Sequence, residues 1–93
     1  MAIRFDWDKN KAKRNVAKHK VSFEEASTVF GDRLSITIED PIHSSIEERF
    51  ITIGSSFRGR MIVVIHCDKG DAIRVISARV ATRGERKTYE EGK

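Results

Sequence analysis

From residue 34 to residue 79 the hydrophobic period of this chain is two, and that alternation limits the fold more than any other feature. Leu34-Ser-Ile-Thr-Ile-Glu39 alternates apolar and polar residues, as a half-buried strand does. Arg49 to Gly54, Arg60 to Cys67 and Ala72 to Arg79 read as three more strands. The second of these three holds Met61-Ile-Val-Val-Ile65, apolar enough for a central strand covered on both faces. A loop at 41–48, a turn at 55–59 and a turn over Asp68-Lys-Gly-Asp71 separate the four. Short turns force consecutive strands to run antiparallel, so the spacing predicts a meander.

Helical signals flank this block. After a short alternating strand, Ile3 to Trp7, Asp8 is placed to cap a helix from Lys9 to about His19. Its apolar content is Ala12 and Val16, four residues apart, and the rest of its surface is cationic. Ser22-Phe-Glu-Glu25 has the form of a capping box, with Val21 and Ala26 as the flanking staple. Phe23, Ala26, Val29 and Phe30 make one apolar face, and Gly31 is expected to supply a left-handed stop. Thr82-x-x-Glu85 repeats the capping pattern ahead of a closing helix at 83–91. The order β-α-α-β-β-β-β-α describes an α+β fold, with helices expected on one face of the sheet and the other face partly open. With no repeat and no low-complexity linker, residues 1–93 read as a single domain.

Composition then narrows the function. Residues 1–20 carry seven Lys or Arg against two acids, residues 21–70 five against eight, and residues 71–93 six against four. Positive charge is therefore concentrated at the two ends, and if they meet in space they form a surface suited to a polyanion. The longest apolar run is far too short to span a membrane, and acids stand where a signal peptide needs an apolar stretch. Cys67 is the only cysteine, so no internal disulfide can form. These features point to the cytoplasm. No Walker loop, Gly-x-Gly-x-x-Gly or His-Glu-x-x-His motif is present, and His19, His43 and His66 fall on different elements, so neither a metal nor a cofactor is expected.

What remains is arginine near strand ends. Arg49 and Arg60 bracket one hairpin, and Arg74, Arg79, Arg83 and Arg86 run from the last strand into the last helix. A guanidinium offers two parallel donors to a phosphate edge, although surface pairing to Glu47, Glu48, Glu85, Glu90 or Glu91 explains any single arginine better than a functional role does. Strand parity adds a constraint. In a regular strand Arg74 and Arg79 project to opposite faces and serve one site only if a bulge or strand end intervenes.

At this point the residues resemble the BrnT family of toxins. The resemblance runs through Phe5-Asp-Trp-Asp8 with Lys11 and Asn15, and Lys18-His-Lys-Val-Ser-Phe-Glu-Glu-Ala26. It continues with Val29-Phe30, Asp32, Asp40, His43 and Glu48-Arg49. Ile73-Arg-Val-Ile-Ser-Ala-Arg79, Ala81-Thr82, Glu85-Arg86 and Tyr89-Glu90 complete it. Lys20 departs from the pattern, which has glycine there, and implies strain or a different helix exit. The resemblance implies a compact RelE-like fold and RNA cleavage that inhibits translation. It also implies neutralisation by a BrnA-like antitoxin, through which alone the pair would contact operator DNA.

Metal-independent RNA cleavage by the 2′-OH needs a base, a cation on the non-bridging oxygens and an acid for the leaving group. Arg79 is the expected charge stabiliser, Arg60 a second cation and Glu85 the base, one turn beyond the strand end. His66, or failing that Tyr89, is the acid. Lys11, Lys13, Arg14, Lys18, Arg74 and Arg86 would hold the RNA backbone. The competing reading is a non-catalytic module that binds RNA or the ribosome without cutting.

Overall fold

In a computed structural model, which describes residues 3–40 and 48–92, the alternating segments pair into one five-stranded sheet. The elements are β1 (Arg4–Asp6), α1 (Lys9–His19), α2 (Phe23–Thr28), β2 (Ile36–Glu39), β3 (Phe50–Ser55), β4 (Met61–Lys69), β5 (Ala72–Val80) and α3 (Arg83–Glu91). A 3₁₀ turn, Val29–Gly31, extends α2. The strand order is β1-β5-β4-β3-β2. The antiparallel meander from β2 to β5 is the one the turn lengths require. β1 joins its far edge parallel to β5, Phe5 opposite Ile73, so the sheet is mixed. The loop expected at 41–48 lies, through residue 47, outside the described residues.

Helices lie on both faces of the sheet, not one, although α3 leaves part of its face open. Val21, Phe23, Ala26 and Val29 pack with Ile62, Val64, Val75 and Ala78, and Phe5, Trp7 and Phe30 close the rim of that cluster. Full burial of a side chain such as Phe23 or Ile62 is worth about 1.5–3 kcal/mol each. Residue 63 alternates with 62 and 64, so Val63 faces the other way. There it packs with Ile53, Ala81 and the α3 residue Tyr89. α3 therefore covers the opposite face, because the chain leaves β5 after Val80 and folds beneath the sheet.

Local chemistry explains most of the boundaries. Asp8 accepts from the backbone of Asn10 and Lys11, Ser22 from Glu25, and Thr82 from Glu85 in a complete capping box. Gly31 does not take the left-handed stop expected of it, because the 3₁₀ turn tightens there and hands the chain to Asp32. Lys20 does take that conformation, at φ 60° and ψ 31°. A side chain there costs roughly 1–2 kcal/mol relative to an unstrained residue. Among the described residues no helix is long and apolar enough to cross a membrane.

Candidate functional site

α1 presents Lys11, Arg14, Asn15, Lys18 and His19 along one stripe at i, i+3, i+4, i+7 and i+8. That stripe, rather than Ala12 and Val16 alone, turns toward β5. Val16 is in fact 44% exposed, while Asn15 is buried at the centre of the contact. The Asn15 amide nitrogen donates to Val21 O and to Ala78 O, both at 2.8 Å, and its oxygen accepts from Ala78 N at 3.2 Å. β1 pairs only with residues 72–74 of β5, so Asn15 replaces a neighbouring strand at the edge that β1 leaves open.

On either side of this hook lies a groove of about 270 Å³. Lys11, Arg14, Lys18 and His19 form one wall, and Ile76 and Ser77 the other. The groove lies where β5 bulges. Ile65 pairs with Ser77 but His66 pairs with Val75, which leaves Ile76 without a partner on β4. The same bulge resolves the parity question. Arg79 lies opposite Val63 and Arg74 opposite Cys67, so both arginines project from the α3 face, as does Ser77. Arg79 stands two residues, about 7 Å, beyond Ser77 along the strand.

Arg79 is fully oriented by Glu85. The two guanidinium nitrogens donate to the two carboxylate oxygens at 2.7 and 2.8 Å, and Glu85 Oε1 also accepts from Thr82 N at 2.9 Å. Arg79 beside it, more than any other group, pulls the Glu85 carboxyl down to about 2. A carboxylate held that far below neutrality takes up a proton poorly, which argues against the role of base expected for it. Its evident function is to aim Arg79, whose own charge the pair reinforces. Three of the five guanidinium N–H donors remain for a ligand.

Two expected members of this constellation lie on the other face. Arg60 Nε donates to Glu25 Oε2 at 2.9 Å and Nη2 pairs with Glu25 Oε1, while Nη2 also donates to Lys20 O at 3.0 Å. Glu25 is 2% exposed. Arg60 holds its carboxyl below the usual range, and the Ser56 hydroxyl donates to it at 2.7 Å. Arg60 thus neutralises a buried acid and ties the end of α1 to β4. His66 is buried between Phe30, at 4.8 Å, and Phe50, at 5.9 Å, with Nε2 against Thr52 Oγ1 at 2.8 Å. Burial lowers its affinity for a proton. Neither side chain is brought to Arg79, because each belongs to the α1/α2 face.

The remaining expected residues divide. Lys11, Arg14 and Lys18 converge on the groove, while Lys13 points elsewhere on α1 and Arg86 stands exposed on α3. Arg74 pairs with Asp6 at 2.7 Å. The Tyr89 hydroxyl donates to Asp32 Oδ2 at 2.6 Å, which pins α3 and removes it as an acid. His19 was absent from the expected site, although its place on the 11-14-15-18-19 stripe was readable. Ile76 and Ser77 could not be found that way, since a single-residue bulge leaves no mark in the alternation. Among the described residues no cluster of three His, Cys, Asp or Glu could hold a metal ion.

This arrangement, a cationic groove with an oriented arginine two residues further along β5, suits a phosphate backbone. Residues 7–85 match the family described as the ribonuclease toxin, BrnT, of type II toxin-antitoxin systems. The chain belongs to the BrnT family of ribonuclease toxins. It is also similar to the 1.1 Å crystal structure of the Brucella abortus ribonuclease toxin BrnT. The two superpose with a TM-score of 0.65 at 26% identity, over 88% of this chain and 100% of that one. No curated protein matches the sequence. As a type II toxin it works against an antitoxin partner and an RNA substrate.

Proposed function

We propose that this BrnT-family chain is a metal-independent endoribonuclease that cuts single-stranded RNA in the groove between α1 and β5. The observation that carries the reading is Arg79, locked in orientation by Glu85 two residues along β5 from Ser77, which lines a groove walled by Lys11, Arg14, Lys18 and His19. In the reaction the 2′-hydroxyl attacks its own phosphorus, and the P–O5′ bond breaks to leave a 2′,3′-cyclic phosphate and a 5′-hydroxyl. The nucleophile is part of the RNA, so no metal is needed to make one. Arg79 binds the non-bridging oxygens and stabilises the charge that builds on them. Lys11, Arg14 and Lys18 hold the adjoining phosphates. His19, the imidazole in the groove wall, carries the proton between the 2′-oxygen and the leaving 5′-oxygen. Glu85 is a positioning residue.

Loss of messenger RNA would inhibit translation, as in RelE-like ribonucleases, and the toxin would act in the cytoplasm. A BrnA-like antitoxin would restrain it and supply whatever contact the pair makes with operator DNA.

The test is incubation of the purified chain with a single-stranded RNA in the presence of a chelator. Cleavage to cyclic-phosphate ends is expected, with a loss of about 10²–10³ in rate for Arg79→Ala. A wild-type chain that binds the RNA but never cuts it would replace this reading with the non-catalytic binding module.

A further inference from the structure

The α3 face of the sheet carries two parallel cross-strand rows, of which the chain covers one. The first row is Ile36, Ile53, Val63 and Arg79, one residue from each of β2, β3, β4 and β5. α3 runs along it, from Glu85 at Arg79 to Gly92, which sits against Ile36. The second row, two residues further along each strand, is Ile38, Ile51, Ile65 and Ser77. Its composition is nearly the same, yet no described helix lies on it. Ile38 is 52% exposed, and Ile51, Ile65 and Ser77 are half-buried.

We infer that this second row is the docking site of the antitoxin, and that it receives an amphipathic helix lying beside α3. Neighbouring strands are about 4.8 Å apart, so the row extends about 14 Å from Ile38 to Ser77. About ten helical residues cover that length, and apolar side chains at i, i+3 or i+4 and i+7 recur at nearly the strand spacing. Charge selects the occupant. The row runs from an apolar edge at Ile38 to Ser77 in the wall of the groove formed by Lys11, Arg14 and Lys18. An incoming helix must therefore be apolar at one end and acidic at the other. A second copy of this chain, with a net charge of +4, is a poor match. An acidic side chain at Ser77 would reach the groove wall, two residues along β5 from Arg79, and exclude phosphate. That last step rests on the groove being the RNA site, whereas the docking does not.

The experiment is calorimetric titration of the purified chain with its cognate antitoxin, alongside cleavage of a single-stranded RNA by the same protein. Ile38→Lys is expected to weaken antitoxin binding by about 30-fold or more and to leave cleavage unchanged. Ile38→Ser, a smaller change, is expected to weaken it less, and Val16→Lys, an exposed apolar position on α1, not at all. Antitoxin affinity within about twofold of wild type for Ile38→Lys, at an unchanged melting temperature, would overturn the inference. So would sedimentation showing that the chain alone dimerises and that Ile38→Lys abolishes it. If the wild-type chain cuts no RNA but Ile38→Lys still loses the antitoxin, docking stands and the cleavage reading falls.

Discussion

Glu85→Gln separates a positioning carboxylate from a catalytic base. Wild-type Glu85 sits at about 2 against an ordinary 4.5, chiefly through its paired bonds from Arg79. A displacement of that size corresponds to about 3 kcal/mol. Solvent reaches 28% of the Glu85 side chain and 38% of Arg79, and screening reduces the net contribution to about 1–2 kcal/mol. Because the folded value lies below the unfolded one, that stability is present above about pH 4.5 and is lost as pH falls toward 2. Glutamine retains an oxygen for Thr82 N but offers Arg79 one acceptor instead of two. Urea denaturation at pH 7 should therefore show the variant about 1–2 kcal/mol less stable, and melting should fall by about 4–8 °C per kcal/mol. The gap between the two proteins should narrow steadily from about pH 5 to pH 2. Cleavage should fall about tenfold, as Arg79 loses orientation, rather than the 10²–10⁴ that removal of a general base costs. A stability gap independent of pH would refute the pairing argument, and a rate loss beyond about a thousandfold would restore Glu85 as the base.

Two further substitutions test the frame behind the site. Arg60→Met should destabilise the chain by about 3–5 kcal/mol in chemical denaturation, since it leaves the buried Glu25 carboxylate without its cation; a change under about 1 kcal/mol would mean that Arg58, at 3.8 Å, replaces it. Lys20→Gly should stabilise by up to about 1 kcal/mol, by removing a side chain from left-handed backbone. A loss of stability there would show that the bond from Arg60 to Lys20 O depends on the lysine.

Strand and helix existence was legible from period and capping, because those signals are local. Asp8, Ser22 and Thr82 each cap the helix they precede. Two local readings failed for a tertiary reason. Gly31 was not needed in left-handed form, because Asp32 turns the chain, accepting from Leu34 N and Ser55 N. Val16 was not the buried residue of α1, because the open edge of β5 rewards an amide with both donor and acceptor, and only Asn15 supplies it.

The same division holds at the site. Sequence alone determined that Thr82, Glu85 and Arg79 lie close together, since six residues across a capped turn cannot separate far. It also determined that α1 is cationic, with Lys11, Arg14, Lys18 and His19 on one stripe. Which side of the sheet each group faces was decided only by pairing. The bulge at Ile76 moved Arg74 onto the face that Ser77 and Arg79 already share, while an unbroken β4 kept Arg60 and His66 on the other. Side-chain direction in a strand alternates with every residue, so one unpaired residue on β5 reassigns everything beyond it. No count along the sequence registers that residue, because the hydrogen bonds that define it come from another strand.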